Sequence, residues 1–344
     1  MEILLDEILR WAGKVHPGRA VLPTTDLYFL NACRHWLAPG RHSRLERWGA
    51  NTFATDKAIV CIRRDHPKVV ARVQSDRNRR LVYVIDDDLW AAEEDASLPD
   101  DYRRRLAILR EGQHRLLVEK AETIVVSSDK IARHYRDKHQ VARLDPFWSE
   151  PLADGLHFRD VEKGDALHIA YLGSASHAAD RLFTFTVLEG LLGKMPNLKI
   201  TVFGDHDLPV SLKKDSRICA SPPLPWIFHR KRVAALKCHI ALCPMLDTPF
   251  NRGRSVNKLI EHAVAGGIGV YSAGWKEADQ VRAAAAGLSF EDRPEVWVEG
   301  LQEAISRKEG LKSIQSNART LAYRLNDGDK QRIFWQNELE IAAS

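Results

Sequence analysis

The pattern that most restricts this chain is a buried strand, a turn and a helix, repeated through one half and begun again in the other. In the first half, residues 56–62 (DKAIVCI), 79–88 (RRLVYVIDDD) and 121–128 (AETIVVSS) are strand-like apolar runs. Residues 101–121 between them have the spacing of an amphipathic helix, and residues 128–138 follow the third run with a serine cap and helical spacing. The second half restarts with strands at 166–174, 198–205, 239–246 and 267–273, and with helices at 181–196 and 254–267. Strands apolar on both faces and separated by helices predict parallel sheets covered on both sides. The fold class expected is therefore α/β, with two Rossmann-like parallel-sheet domains facing each other across a cleft. Turn formers dominate residues 145–165, which places the boundary there. The expected division is 1–155, 156–325 and a terminal helix over 326–344 that packs back on the first domain.

Composition narrows the class further. With 44% hydrophobic and 28% charged residues, the 344-residue chain is neither disordered nor fibrous. No apolar run reaches the roughly 20 residues of a membrane-spanning helix. Glu2, Asp6 and Glu7 occupy the positions where a signal peptide is basic. Five cysteines (Cys33, Cys61, Cys219, Cys238 and Cys243) contain no C-x-x-C pair, which fits a reducing cytoplasm better than a disulfide framework. The 51 Lys and Arg nearly balance 46 Asp and Glu, so the charge is not that of a nucleic-acid-binding protein.

The segment richest in chemistry is 243–273. Arg254, Lys258 and Glu261 stand at i, i+4 and i+7, on one face of the expected helix. Ser255 falls at the start of that helix, where unpaired backbone N–H groups favour an anion. A phosphate there could take those amides, the Ser255 hydroxyl and the charge of Arg254 or Lys258. Glu261 could accept two hydroxyls, as a ribose offers. The same residues also read as a solvated face on a capped helix.

This segment resembles the donor-binding region of GT-B glycosyltransferases of the family 4-like group 1. The pattern stands here as Pro244, Met245, Leu246, Asp247, Phe250, Asn251, Arg254, Ser255, Lys258, Glu261 and Gly266, with Arg254 at the usual lysine position. Residues 169–182 (IAYLGSASHAADRL) resemble the first strand and loop of the nucleotide-binding domain, with Gly173, Ser174, Ser176, His177 and Asp180. Residues 81–90 and 122–135 resemble first-domain stretches of the same subgroup. The likeness spans roughly residues 56–290. It implies that the first domain lies on the acceptor side and the second binds the nucleotide sugar. It implies that Gly173, Ser174, Asn251, Ser255 and Glu261 bind the donor, with Ser255 and Lys258 on the diphosphate and Glu261 on the ribose. His177, Arg254 and Lys258 become the catalytic candidates. Two departures stand out. Many members carry a second glutamate eight positions before the first-named one, where this chain has Gly253, and the 173–182 loop offers a single cation, Arg181.

Asp86, Asp87 and Asp88 end a strand together and repel one another unless paired. They read as a metal clamp, as a phosphatase nucleophile motif, or as acids that cap the next helix and hold arginines across the cleft. The basic run at 101–115 reads either as a membrane or lipid-diphosphate surface or as an outer helix face.

The resemblance implies a cytoplasmic, metal-independent and retaining glycosyltransferase, peripheral at the inner membrane face if its acceptor is lipid-linked. Its donor would be a UDP- or GDP-type sugar, its acceptor a glycan or glycolipid of surface polysaccharide assembly. No separate cofactor, metal or nucleic acid is expected. A sugar-nucleotide epimerase or hydrolase on the same fold is the first alternative. A non-catalytic nucleotide-binding partner subunit is the second, and Gly253 favours it.

Overall fold

The computed structural model describes residues 21–37, 44–159, 165–173, 177–204 and 207–341. In the first half a helical stretch, α1 (residues 23–37), leads into strands β1 (Glu46–Arg47), β2 (Thr52–Ala54) and β3 (Ala58–Ile62). Helix α2 (Pro67–Ser75), strand β4 (Arg80–Ile85), helices α3 (Leu89–Glu94) and α4 (residues 100–120), strand β5 (Thr123–Val126), helix α5 (Asp129–Ala132) and strand β6 (Gln140–Arg143) follow. The sheet order is β1-β2-β3-β4-β5-β6. β3 to β6 are parallel, whereas β1 and β2 run antiparallel at one edge. The parallel sheet expected of the first half thus carries a short antiparallel edge. The edge strands span two and three residues, too short to show a period, and β6 is half-exposed and polar (QVAR).

The second sheet contains β7 (Leu167–Tyr171), β8 (Leu198–Phe203), β9 (Ile218–Ser221), β10 (Ile240–Cys243), β11 (Ile268–Ser272) and β12 (Gly287–Phe290), in the order β12-β11-β10-β7-β8-β9. All its neighbours are parallel. Counted from β7, this is the doubly wound order 3-2-1-4-5-6. The chain reverses direction between β7 and β10, where the connections diverge and leave a crevice beyond the strand ends. Helices α6 (Ala178–Lys194), α7 (Trp226–Ala235), α8 (Asn257–Ala265) and α9 (Pro294–Ser306) cover the sheet, and α10 (Lys308–Leu325) follows.

Burial follows the pleat. Leu81, Tyr83 and Ile85 of β4 face one core, with Leu106 and Leu117 of α4, while Val82 and Val84 face another. That second core is continuous across both halves, reaching Ala170, Leu172, Ile260 and Val264. A third core lies beneath Ile169, Ile200 and Val270, against Phe185, Leu188 and Trp297. The final helix α11 (Gly328–Glu338), capped by Asp327, lies on the first half: Gln331 donates to the Leu27 carbonyl at 2.9 Å and Trp335 to that of Tyr28 at 2.6 Å.

Three helices differ from their sequence expectations. α4 winds through a π turn at Arg110–His114, where Gly112 leaves helical geometry. α5 stops at Ala132 rather than running to residue 138. α8 begins at Asn257, not at 254, and ends where Gly266 takes a left-handed φ of 89°.

Candidate active site

The crevice at the β7–β10 reversal holds the residues of interest. Leu172 and Gly173 leave the end of β7, and Pro244 and Met245 leave β10. With His177 and Lys258 they line a small cavity. Gly173 is held to a residue without Cβ because the Tyr171 hydroxyl lies 2.1 Å from where one would stand. Ser174 and Ser176 lie outside the described residues.

From α8, Lys258 reaches up to the strand ends. Its ammonium donates to the Leu172 carbonyl at 2.7 Å and to Glu261 Oε2 at 2.5 Å. Glu261 Oε1 faces His229 Nε2 of α7 at 3.1 Å. Burial works to raise the Glu261 pKa, but the Lys258 ammonium and His229 outweigh it and hold it at about 2. Glu261 is thus an anion in a nearly closed pocket, 3% exposed, with both oxygens engaged. His229 stacks on Trp226 and meets Phe203 edge-on, which builds an aromatic wall beside the carboxylate.

Arg254 and Ser255 are not on the helix, so the expectation of one shared face with Lys258 and Glu261 is corrected. Residue 254 is extended (φ −72°, ψ 147°), which turns its side chain away from Lys258. Arg254 Nη1 instead crosses to the first half and binds Asp87 Oδ1 at 2.8 Å. Ser255 Oγ accepts from the Tyr28 hydroxyl of α1 at 3.3 Å. Lys258 and Glu261 alone keep the predicted helical relation.

His177 and Asn251 converge on Asp180. Asp180, in the first turn of α6, is buried and lies 3.3 Å from His177 Nδ1. Asn251 Nδ2 donates to both of its oxygens, at 3.2 and 3.1 Å, and the Leu246 amide adds a bond at 3.3 Å. The carboxylate ties the loop after β10 to the helix after β7.

The three acids at the end of β4 have separate environments. Asp88 caps α3 through the Ala91 amide at 3.0 Å and meets His134 at 3.0 Å and Lys130 at 3.5 Å. Asp87 is gripped by two guanidinium groups, Arg63 at 2.5 Å and Arg254 at 2.8 Å. Asp86 accepts from Thr24 Oγ1 at 2.7 Å and has Arg63 at 3.5 Å. Burial, and after it the Asp87 charge, push the Asp86 pKa up. Burial does the same to Asp87, but Arg63 and then Arg254 overcome it and pull that pKa below the ordinary value. Of the three sequence readings, capping a helix and holding arginines across the cleft matches these partners. Arg63 itself sits just past β3 with a left-handed φ of 59°, a strained backbone for a side chain of its size.

The two halves touch directly beside this cluster. The loop before Arg254 inserts Phe250, 1% exposed, into the first half's core, and its amide donates to Asp95 at 3.0 Å. Lys130 donates to the Pro249 carbonyl, and Ser128 to that of Gly253 at 2.8 Å. A Cβ at Gly253 would stand 3.1 Å from that of Asp88. At that distance the wall of the first half would have to give by a few tenths of an ångström to admit a side chain at 253. Sequence reasoning singled out Asp180 beside His177 but missed Thr24, Tyr28, Arg63 and His229, none of which carries a local signal.

No protein-family model matches the chain, and no curated protein matches its sequence. Solved structures do resemble it. The sucrose-phosphate synthase of Thermosynechococcus elongatus superposes with a TM-score of 0.56 at 11% identity, over 79% of this chain and 70% of that one. HepE of Anabaena, in complex with UDP and glucose, gives 0.58 at 12% identity, over 84% and 78%. WaaG, described as a glycosyltransferase involved in lipopolysaccharide biosynthesis, gives 0.53 at 14% identity, over 80% and 81%. At such identities the likeness is one of fold, and the fold is GT-B.

Proposed function

We propose that this chain is a group 1 glycosyltransferase that moves a sugar from a nucleotide-diphosphate donor to a glycan or glycolipid acceptor. The observation that carries the reading is the Lys258–Glu261 pair on α8, placed under the end of β7 at the reversal point of the second sheet. Ligands of open α/β sheets bind at such points. A buried, ionised glutamate with a cationic neighbour suits a polyhydroxyl group bound next to an anion. In this reading a donor diphosphate lies against Lys258, Ser255 and the start of α8, and its ribose replaces His229 or Lys258 as a partner of Glu261. Nucleotide departure builds negative charge on the diphosphate, and Lys258 and the helix amides are aimed where it develops. His177 lines the same cavity as Lys258, and it and Arg254 both pack against Phe250. Arg254 serves the reaction only if it leaves Asp87 or holds the two halves in register through it.

The acceptor then approaches from the first half. α4 presents Ile108, 67% exposed, and Leu116, 38% exposed, among Arg104, Arg105 and Arg115, a surface suited to contact with an anionic membrane. No helix among the described residues is long and apolar enough to cross a membrane. Retention of anomeric configuration, a cytoplasmic setting and a role in surface polysaccharide assembly belong to this proposal through the resemblance.

The test is a thermal-shift panel of UDP, GDP, CMP and ADP and their common sugar conjugates, with and without magnesium. One diphosphate class should raise the midpoint without magnesium, by mass-action linkage, and Glu261→Ala should abolish the shift. A flat response to every nucleotide would reject the donor site and leave the non-catalytic partner subunit as the better reading.

A further inference from the structure

Asp180, 5% exposed in the first turn of α6, lines the cavity at the end of β7 together with His177 and Lys258. An ionised carboxylate only accepts hydrogen bonds. Histidine and asparagine are ambivalent by comparison. An imidazole can carry its proton on either nitrogen, and an amide can turn either end to a partner. Asp180 meets one of each. Its Oδ1 accepts from the Leu246 amide at 3.3 Å and from Asn251 Nδ2 at 3.2 Å. Its Oδ2 accepts from the same Nδ2 at 3.1 Å and faces His177 Nδ1 at 3.3 Å. Asn251 Nδ2 also donates to the Leu246 carbonyl at 3.1 Å, so its N–H groups are spent. Asn251 Oδ1 is buried with no hydrogen-bond partner among the described residues.

Each ambivalent group is left with one outcome. Asn251 turns its NH2 to the carboxylate and keeps Oδ1 as an unspent acceptor. His177, with Nδ1 toward Oδ2, carries a proton there and keeps Nε2 for other partners. The His177 ring stands where the halves meet, 6.3 Å between ring centres from Phe250, and lines the cavity with Lys258. We infer that Asp180 is a positioning residue of the donor site: it fixes the tautomer of His177 and the turn of the Asn251 amide, so that a donor meets an imidazole Nε2 and an amide oxygen. Asp180 itself touches no substrate and moves no proton. The inference rests on the glycosyltransferase reading, and it concerns the donor side alone, so it agrees with retention of the anomeric configuration. Asp180→Asn is nearly isosteric and isolates the effect. Its oxygen stays with the Leu246 amide, so its NH2 replaces Oδ2 and meets the Asn251 NH2 and His177 Nδ1. Donor then faces donor, and His177 must carry its proton on Nε2 instead.

Two measurements on the full chain test this. The first is an NMR spectrum of protein labelled at histidine nitrogen, in which the His177 signals are identified by their loss in His177→Gln. The wild type should show Nδ1 protonated, and Asp180→Asn should move the proton to Nε2. An unprotonated Nδ1 in the wild type, or an unchanged tautomer in Asp180→Asn, would overturn the inference. Should Asp180→Asn fail to fold, the wild-type spectrum still decides the tautomer. The second measurement follows nucleotide release from a panel of UDP- and GDP-hexoses with mono- and disaccharide and lipid-linked acceptors. Asp180→Asn should lower kcat by about 100-fold, the loss expected when a group at the reacting centre is misplaced by an ångström. His177→Gln should lower it comparably, and adding Asp180→Asn to that variant should cost less than about 10-fold more, because the two act as a unit. Losses that multiply in full would mark Asp180 as a structural residue and overturn the inference, as would a wild-type rate in His177→Gln. Absence of nucleotide release from the wild-type chain with every donor would instead bring down the glycosyltransferase reading, and the role in transfer with it, whatever the tautomer.

Discussion

Replacing Lys258 by Met removes the ammonium that faces Glu261 and keeps most of the apolar stem. In the folded chain the Glu261 pKa lies at about 2, against an ordinary 4.5. A depression of that size is worth about 3 kcal/mol of stability at neutral pH. The folded-state value lies below the unfolded one, so this contribution is full above about pH 4.5 and is lost as pH falls toward 2. Lys258 is the largest of the influences that lower the pKa, ahead of His229. The Lys258→Met variant is therefore expected to be about 2 kcal/mol less stable at pH 7. At pH 3 only about 60% of that gap should remain, because the wild-type carboxylate is by then losing its advantage. Urea unfolding of both proteins at the two pH values reads the difference directly. The lost hydrogen bond to Leu172 adds a constant offset that does not titrate. Equal gaps at pH 7 and pH 3 would refute the charge-pair account and reduce Lys258 to a packing and hydrogen-bonding residue.

Further outcomes follow from the contact between the halves. Phe250→Ala empties a fully buried ring site between Tyr102 and Arg254 and should cost about 3–5 kcal/mol, read as a lower urea midpoint. Gly253→Glu, which introduces the glutamate of the family pattern that residues 243–273 resemble, forces a side chain toward Asp88 Cβ and Ile131. It should lower the thermal midpoint by several degrees and create no transfer activity; a gain of activity would show that the wall yields. Arg254→Ala leaves Asp87 with Arg63 and the longer Tyr102 hydroxyl contact and should destabilise the chain by about 2 kcal/mol, less than for a fully orphaned buried charge. A double-mutant cycle with Asp87→Asn should return a coupling energy of at least 1 kcal/mol.

Much of the architecture was written in local pattern. Apolar runs at β3, β4, β5, β7, β8, β10 and β11 announced themselves by length and by Val and Ile content. Doubly buried parallel strands must be apolar throughout. The short edge strands β1 and β2 and the polar β6 gave no such signal, because half-exposed backbone pairing leaves little trace in side chains. Around the site, the i, i+3 relation of Lys258 and Glu261 was legible because helical geometry fixes it without outside help. Gly266 marked the helix end for an equally local reason, its left-handed backbone.

What only the tertiary structure decided is where charges found their partners. Arg254 sits four residues before Lys258 in sequence, yet its extended backbone sends it to Asp87, 167 positions away. The three consecutive aspartates look alike in the chain, but different neighbours give one to a helix cap, one to two arginines and one to the Thr24 hydroxyl. Gly253 stood in the sequence as an absent glutamate, and the fold adds how little room the wall of the first half leaves beside it. Periodicity is a property of the nearest few residues, so a sequence displays it. The fate of a buried charge depends on groups brought together from opposite halves, and folding alone assembles them.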